Sequence, residues 1–154
     1  MSENEQELSQ EEADRLLMME KDYIPDGNNE PTDKLKLPIS GGKLNISFLS
    51  CDKKEKFAMT IFKGRIELSK VSFTHRCRST VVIARVDITS GEHRNPDGEV
   101  IHGNHLHQYR EGYGDRFAIP LPEYFSAKNT LDRVDKFMDY CHITAKPEFE
   151  EEIF

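Results

Sequence analysis

Between residues 34 and 121, apolar and polar positions alternate in short runs broken by turn residues. Leu35, Leu37 and Ile39 alternate first, Gly41 and Gly42 make a turn, and Leu44, Ile46 and Phe48 alternate next. A charged turn, "CDKKEK", leads into a run with Phe57, Met59 and Ile61 on one face. "IELSKVSFTHRCR" and "STVVIARVDIT" supply two more candidates, the second with Val82, Ala84, Val86 and Ile88 on one face. Successive side chains of a strand point to opposite faces, so this period predicts strands with one buried side, joined as an antiparallel meander. Two last runs, "NHLHQYR" (104–110) and "RFAIPL" (116–121), flank "EGYG", whose glycines suit a hairpin turn. Pro120 and Pro122 end the sheet or mark its edge.

The pattern changes to a helical one near both ends. Ser9 followed by Glu12 has the spacing of a capping box. It predicts a helix over 10–22 with Ala13, Leu16 and Leu17 inward, ended by the turn-forming "PDGNNEPTD" at 25–33. Near the other end, "NTLDRVDKFMDYCHI" carries Leu131, Val134, Phe137, Met138 and Cys141 on one stripe, with Asn129 or Thr130 as the cap. The expected class is α+β: a curved antiparallel β-sheet of about six or seven strands flanked by an N-terminal and a C-terminal helix covering one face.

A chain of 154 residues is one domain's worth, and 32% charged against 36% hydrophobic residues is a soluble composition. No apolar run approaches the roughly 20 residues that span a bilayer, and "MSENEQELSQEEADR" has neither the basic nor the apolar region of a signal peptide. The expectation is a cytoplasmic protein without membrane contact. The three cysteines have no CxxC spacing, so a disulfide framework is not expected. Cys141 reads as core packing, whereas Cys77, between Arg76 and Arg78, has surroundings that could make a thiol reactive.

Charge divides the chain. Residues 1–33 hold eleven acids and two bases, a charge of −9; residues 146–154 carry −3; the body, 34–145, carries +5. The domain expectation follows: an acidic N-terminal arm with a helix (1–33), a single α+β domain (34–145) and an acidic tail (146–154). An acidic arm, with Glu11, Glu12 and Asp14 on its helix, can dock on a basic partner surface or simply solubilise the chain. Lys53, Lys54 and Lys56, with Phe57 and Phe62 among further bases, are a second candidate contact, of the composition that an RNA-binding face uses. The plainer reading of those lysines is a hairpin protected from aggregation by charge.

One segment stands out chemically. Four of the six histidines, His93, His102, His105 and His107, fall within fifteen residues of "EHRNPDGEVIHGNHLHQYREGYGD". On a strand, His105 and His107 point to the same face about 7 Å apart, and two imidazoles plus one or two further ligands suit zinc. His93 or His102 could fold back as the third, with Asp87, Asp115 and Glu111 as nearby carboxylates. The spacing matches neither a zinc finger nor HExxH. A polar cluster bonded to Glu111 or Tyr109, and metal-free acid–base cleavage of RNA by histidine, stay open as alternatives. No phosphate-cradling glycine loop and no GxSxG elbow is present.

The run "GNHLHQYREGYGDRFAIPLPEYF", with "HRNPDG" before it, resembles the DUF6978 family of uncharacterised bacterial and phage proteins. The resemblance runs more loosely over about 10–145, through "EEADRLL", "KKEKFAMTIFKGRIELSK" and "FMDYC". Its pattern maps onto His93, Asn95, Pro96, Asp97, Gly98, His105, His107, Tyr109, Glu111, Gly112, Gly114 and Asp115, but not onto His102. The resemblance implies a setting of prophages and mobile elements, and no established activity. The expectation drawn from that setting is a non-enzymatic inhibitor of a host defence protein, an anti-CRISPR acting on a Cas effector nuclease, with nucleic acid not expected as a direct ligand. The expected site is structural and zinc-like, at His93, His105 and His107. The alternative is a toxin-like, metal- or histidine-dependent nuclease.

Overall fold

In the computed structural model, which describes residues 7–27, 29–30, 32–65 and 70–150, the alternating runs form one large sheet. Ten strands are present among the described residues: β1 (Lys21–Ile24), β2 (Lys43–Ser50), β3 (Lys56–Lys63), β4 (Val71–Cys77), β5 (Val81–Ile88), β6 (Glu92–Arg94), β7 (Val100–His102), β8 (His105–Gln108), β9 (Ala118–Pro120) and β10 (Ile143–Ala145). Two helices, α1 (Gln10–Met18) and α2 (Thr130–Tyr140), lie near the ends, with a 3-10 turn at Glu123–Phe125. Eight strands pair in the order β10-β1-β2-β3-β4-β5-β8-β9, antiparallel except for β1 with β10, and β6 and β7 form a separate hairpin. The class is α+β, and the sheet is somewhat larger than the six or seven strands expected.

One face of the sheet is the core. Ile46, Met59, Phe73, Val86 and Leu106 are at most 1% exposed, and both helices lay their apolar stripes against this face through Ala13, Leu16, Val134, Phe137 and Met138. Phe73 and Phe137 meet with ring centroids 5.9 Å apart. Asn129 caps α2 by accepting from the Asp132 N–H, and Ser9 caps α1 by accepting from the Glu12 N–H. The Glu12 carboxylate does not complete the box; it pairs with Arg15 and Arg78 instead.

Four expectations change. The helix predicted over 10–22 stops at Met18, and the chain enters the sheet as β1. Lys21 marks the break: it is fully buried, and its ammonium donates to the carbonyls of Leu17, Met19 and Cys141, at the C-terminal ends of both helices. A cation there neutralises two helix dipoles and satisfies carbonyls left without partners. Residues 7–24 are thus threaded into the core and sheet, although charge alone sets 1–33 apart as an arm. The alternating Leu35–Ile39 run makes only a bridge from Leu35 to Phe149. On β5 the inward set is Val81, Ile83, Ala84 and Val86, because a bulge opposite His75 and Arg76 shifts the register.

Candidate metal centre

The register of β5 and β8 creates the site. Val86 pairs with Leu106 and both face the core, so their neighbours turn to the opposite face, where Arg85 pairs with His107 and Asp87 with His105. His105 and His107 are buried there. The β6–β7 hairpin brings His93 onto them. Its turn is "NPDG": Gly98 adopts φ +96°, the Asp97 carboxylate accepts from the Glu99 N–H, and the Asn95 carbonyl accepts from the Gly98 N–H. Asn95 then ties the hairpin to the sheet edge. Its side-chain amide donates to the Ala118 carbonyl at 2.9 Å and accepts from the Ala118 N–H at 2.8 Å, acting as one more strand along β9.

The three imidazoles stand face to face and edge to face, with centroids 4.7 to 5.5 Å apart, and offer ligand nitrogens that all lie within 4.8 Å of one another. In each ring the other nitrogen is held by a backbone carbonyl. His105 Nδ1 donates to Gly103 at 2.8 Å, His107 Nδ1 to Asp115 at 2.7 Å, and His93 Nε2 to Arg116 at 2.8 Å. A carbonyl can only accept, so the proton of each neutral ring sits on the nitrogen facing it. The remaining nitrogens, Nε2 of His105 and His107 and Nδ1 of His93, carry lone pairs. Metal-ligating histidines are held in this way, their second nitrogen donating to a carbonyl that fixes the tautomer and the ring. Burial lowers the proton affinity of His105, which favours the neutral form that a metal requires.

Asp87 borders the cluster. Its Oδ2 lies 3.0 Å from His107 Nε2 and 3.2 Å from His105 Nε2, and the same oxygen is 2.9 Å from Arg85 Nη2. Burial pushes this carboxyl up, but the Arg85 guanidinium that donates to it favours its charged form, and Asp87 lies well below the usual carboxylate range. Arg85 is shared with Asp115 at 3.5 Å.

The other expected residues fall elsewhere. His102 is exposed on β7 and pairs with Glu92, away from the cluster. Tyr109 does not bond the histidines: its hydroxyl donates to the Leu8 carbonyl and accepts from the Leu8 N–H, docking the N-terminal segment. Glu111 likewise accepts from the Gln10 N–H. Gly112 and Gly114, at φ +84° and +65°, shape the turn that delivers the Asp115 and Arg116 carbonyls. Cys77 faces the core, fully buried, and burial pushes its thiol up to about 11, so the reactive reading does not hold. Glu11 and Asp14 are exposed on α1, and Lys53, Lys54 and Lys56 are exposed at the β2–β3 turn. Sequence reasoning counted Asp87 only among nearby carboxylates and gave no task to Asn95; "HRNPDG" was the available signal for the latter.

A cleft of about 280 Å³ opens between α1 and the β8–β9 edge, lined by residues including Gln10, Leu17, Gln108, Arg110, Phe117 and Tyr140; none of the three histidines lines it. No described helix is long and apolar enough to cross a membrane. No curated protein and no solved structure matches the chain. The sequence model of a family of unknown function does match, over residues 8–143, a span that includes α1, the "NPDG" hairpin, all three histidines and α2. The chain belongs to that family, DUF6978.

Proposed function

We propose that this chain is a non-enzymatic binding protein whose fold is fastened by a metal ion, zinc being the best match, at His93, His105 and His107. The observation that carries the reading is the proton inventory of the three rings: every second nitrogen is committed to a carbonyl, and three lone pairs converge. Neutral imidazoles at a compact, mostly buried site suit zinc, which is bound at about 2.0–2.1 Å. The site joins separate pieces, with His93 on the small hairpin and His105 and His107 on the main sheet. An ion there converts binding free energy into attachment of the hairpin. The cleft between α1 and the β8–β9 edge is not lined by the three histidines.

The partner we propose is a host defence protein, and specifically a CRISPR effector nuclease. Small size and an exposed acidic strip including Glu11 and Asp14 suit a large basic surface. The test has two arms. The purified protein, with and without added zinc, is incubated with RNA and DNA, and separately with candidate effector nucleases. The account expects no cleavage by the protein itself and inhibition of one effector that weakens when Glu11 and Asp14 become lysine. Metal-dependent cleavage that disappears in a folded His107→Ala variant would establish the nuclease alternative.

A further inference from the structure

We propose that Asp87 is the fourth ligand of this centre, so that three imidazoles and one carboxylate enclose the ion and leave no position for water or substrate. The inference rests on the metal-centre reading and extends it to the coordination number. The contacts of Asp87 Oδ2, 3.0 Å to His107 Nε2 and 3.2 Å to His105 Nε2, fit two situations. Ligand atoms sharing one tetrahedral ion at zinc bond lengths lie about 3.3 Å apart. Hydrogen-bonded atoms lie at 2.7–3.2 Å.

The protons decide between them. His105 and His107 each spend their one neutral-ring proton on a backbone carbonyl, at 2.8 and 2.7 Å. Both Nε2 atoms therefore turn a lone pair toward a carboxylate oxygen that also carries only lone pairs. Acceptor against acceptor is repulsive, and two such contacts on one oxygen do not persist without positive charge between them. A single divalent ion satisfies both nitrogens and the oxygen at once, and His93 supplies the third nitrogen.

Arg85 is then a positioning residue. Its Nε and Nη2 grip the Asp87 carboxylate at 3.1 and 2.9 Å, and Asp115 steadies the guanidinium from the other side. Ligating carboxylates are oriented by such outer partners, whose loss weakens metal binding about 10- to 100-fold. A centre with four protein ligands is the structural kind; catalytic zinc keeps three and an open position.

Cobalt(II) substituted into the full chain tests this, because its visible absorption reports coordination and an open position takes up azide. The expected result is a tetrahedral spectrum that azide leaves unchanged in the wild type. Asp87→Ala should bind cobalt at least tenfold more weakly and become azide-responsive. Arg85→Met, which keeps the carboxylate, should stay azide-insensitive while losing some affinity. If Asp87→Ala does not fold, the wild-type azide titration decides alone. An azide-shifted wild-type spectrum overturns closure by Asp87 and leaves a three-histidine centre standing. A wild type that takes up neither cobalt nor zinc overturns the centre itself, and this inference with it.

Discussion

Replacing Asn95 by alanine isolates the joint between the hairpin and the sheet. Asn95 is 4% exposed and Ala118 is 3% exposed, so neither end of the pair has free access to water. The substitution removes a 2.9 Å bond to the Ala118 carbonyl and a 2.8 Å bond from its N–H. Each buried backbone group left without a partner costs about 1–3 kcal/mol. Relaxation of the edge and entry of water bring the pair to the lower part of the sum, about 2–4 kcal/mol. With a urea slope of about 2 kcal/mol per molar, the unfolding midpoint should fall by about 1–2 M with the slope unchanged. Asn95→Asp sharpens the test: it keeps the acceptor for the N–H but turns the donor into a second acceptor against the carbonyl, so the loss should be at least as large. The assay is urea denaturation followed by circular dichroism at fixed zinc. A change below about 0.5 kcal/mol in both variants would mean that the amide clamp does not hold the hairpin, and would remove the reason offered here for "HRNPDG".

His102→Ala should leave zinc content unchanged and shift stability by no more than about 0.5 kcal/mol, since this exposed ring only pairs with Glu92; elemental analysis and urea melts check both. Tyr109→Phe removes the hydroxyl that holds both backbone groups of Leu8, and should cost about 1–3 kcal/mol and expose the first turn of α1 to limited proteolysis. His75 is fully buried beside Phe57, and neither ring nitrogen makes a hydrogen bond. Burial, helped by the Lys21 charge, depresses its proton affinity well below the ordinary 6.5. Below about pH 6.5 the unfolded chain therefore gains a proton that the folded chain refuses, and stability falls as pH drops, by up to about 1.4 kcal/mol per unit from this group. His75→Leu should remove that part of the pH dependence and stabilise the protein near neutrality, read from melts of both proteins between pH 5 and 8.

Much of the sheet was legible because β2, β3 and β4 each bury one face and so keep a clean alternation. The bulge in β5 broke the same rule, since one extra residue puts Val81 and Ile83 inward before it and Ala84 and Val86 inward after it. β1 was hidden by Lys21, a charged residue at a fully buried position; its reason for being there is a pair of helix ends that meet only in the folded chain. β6, β7 and β10 have three residues each, too few to establish a period. The three histidines could be picked out because two share a strand face and the third sits in the "HRNPDG" pattern. Asp87 could not be placed among them, because its approach depends on the pairing of β5 with β8 across a long connection. The carbonyls of Gly103, Asp115 and Arg116, which fix the tautomers, belong to the backbone and have no side-chain signature at all.

The central claim is that three histidines on two separate pieces of the fold share one metal ion. Elemental analysis of untagged protein, purified without chelator and compared with its His107→Ala variant, tests it most directly. The account predicts close to one zinc per chain in the wild type and its loss in the variant, with the melting temperature of the wild type falling on chelation toward that of the variant. A wild type that carries no metal, takes none up when zinc is added, and melts at the same temperature with or without chelator would contradict it.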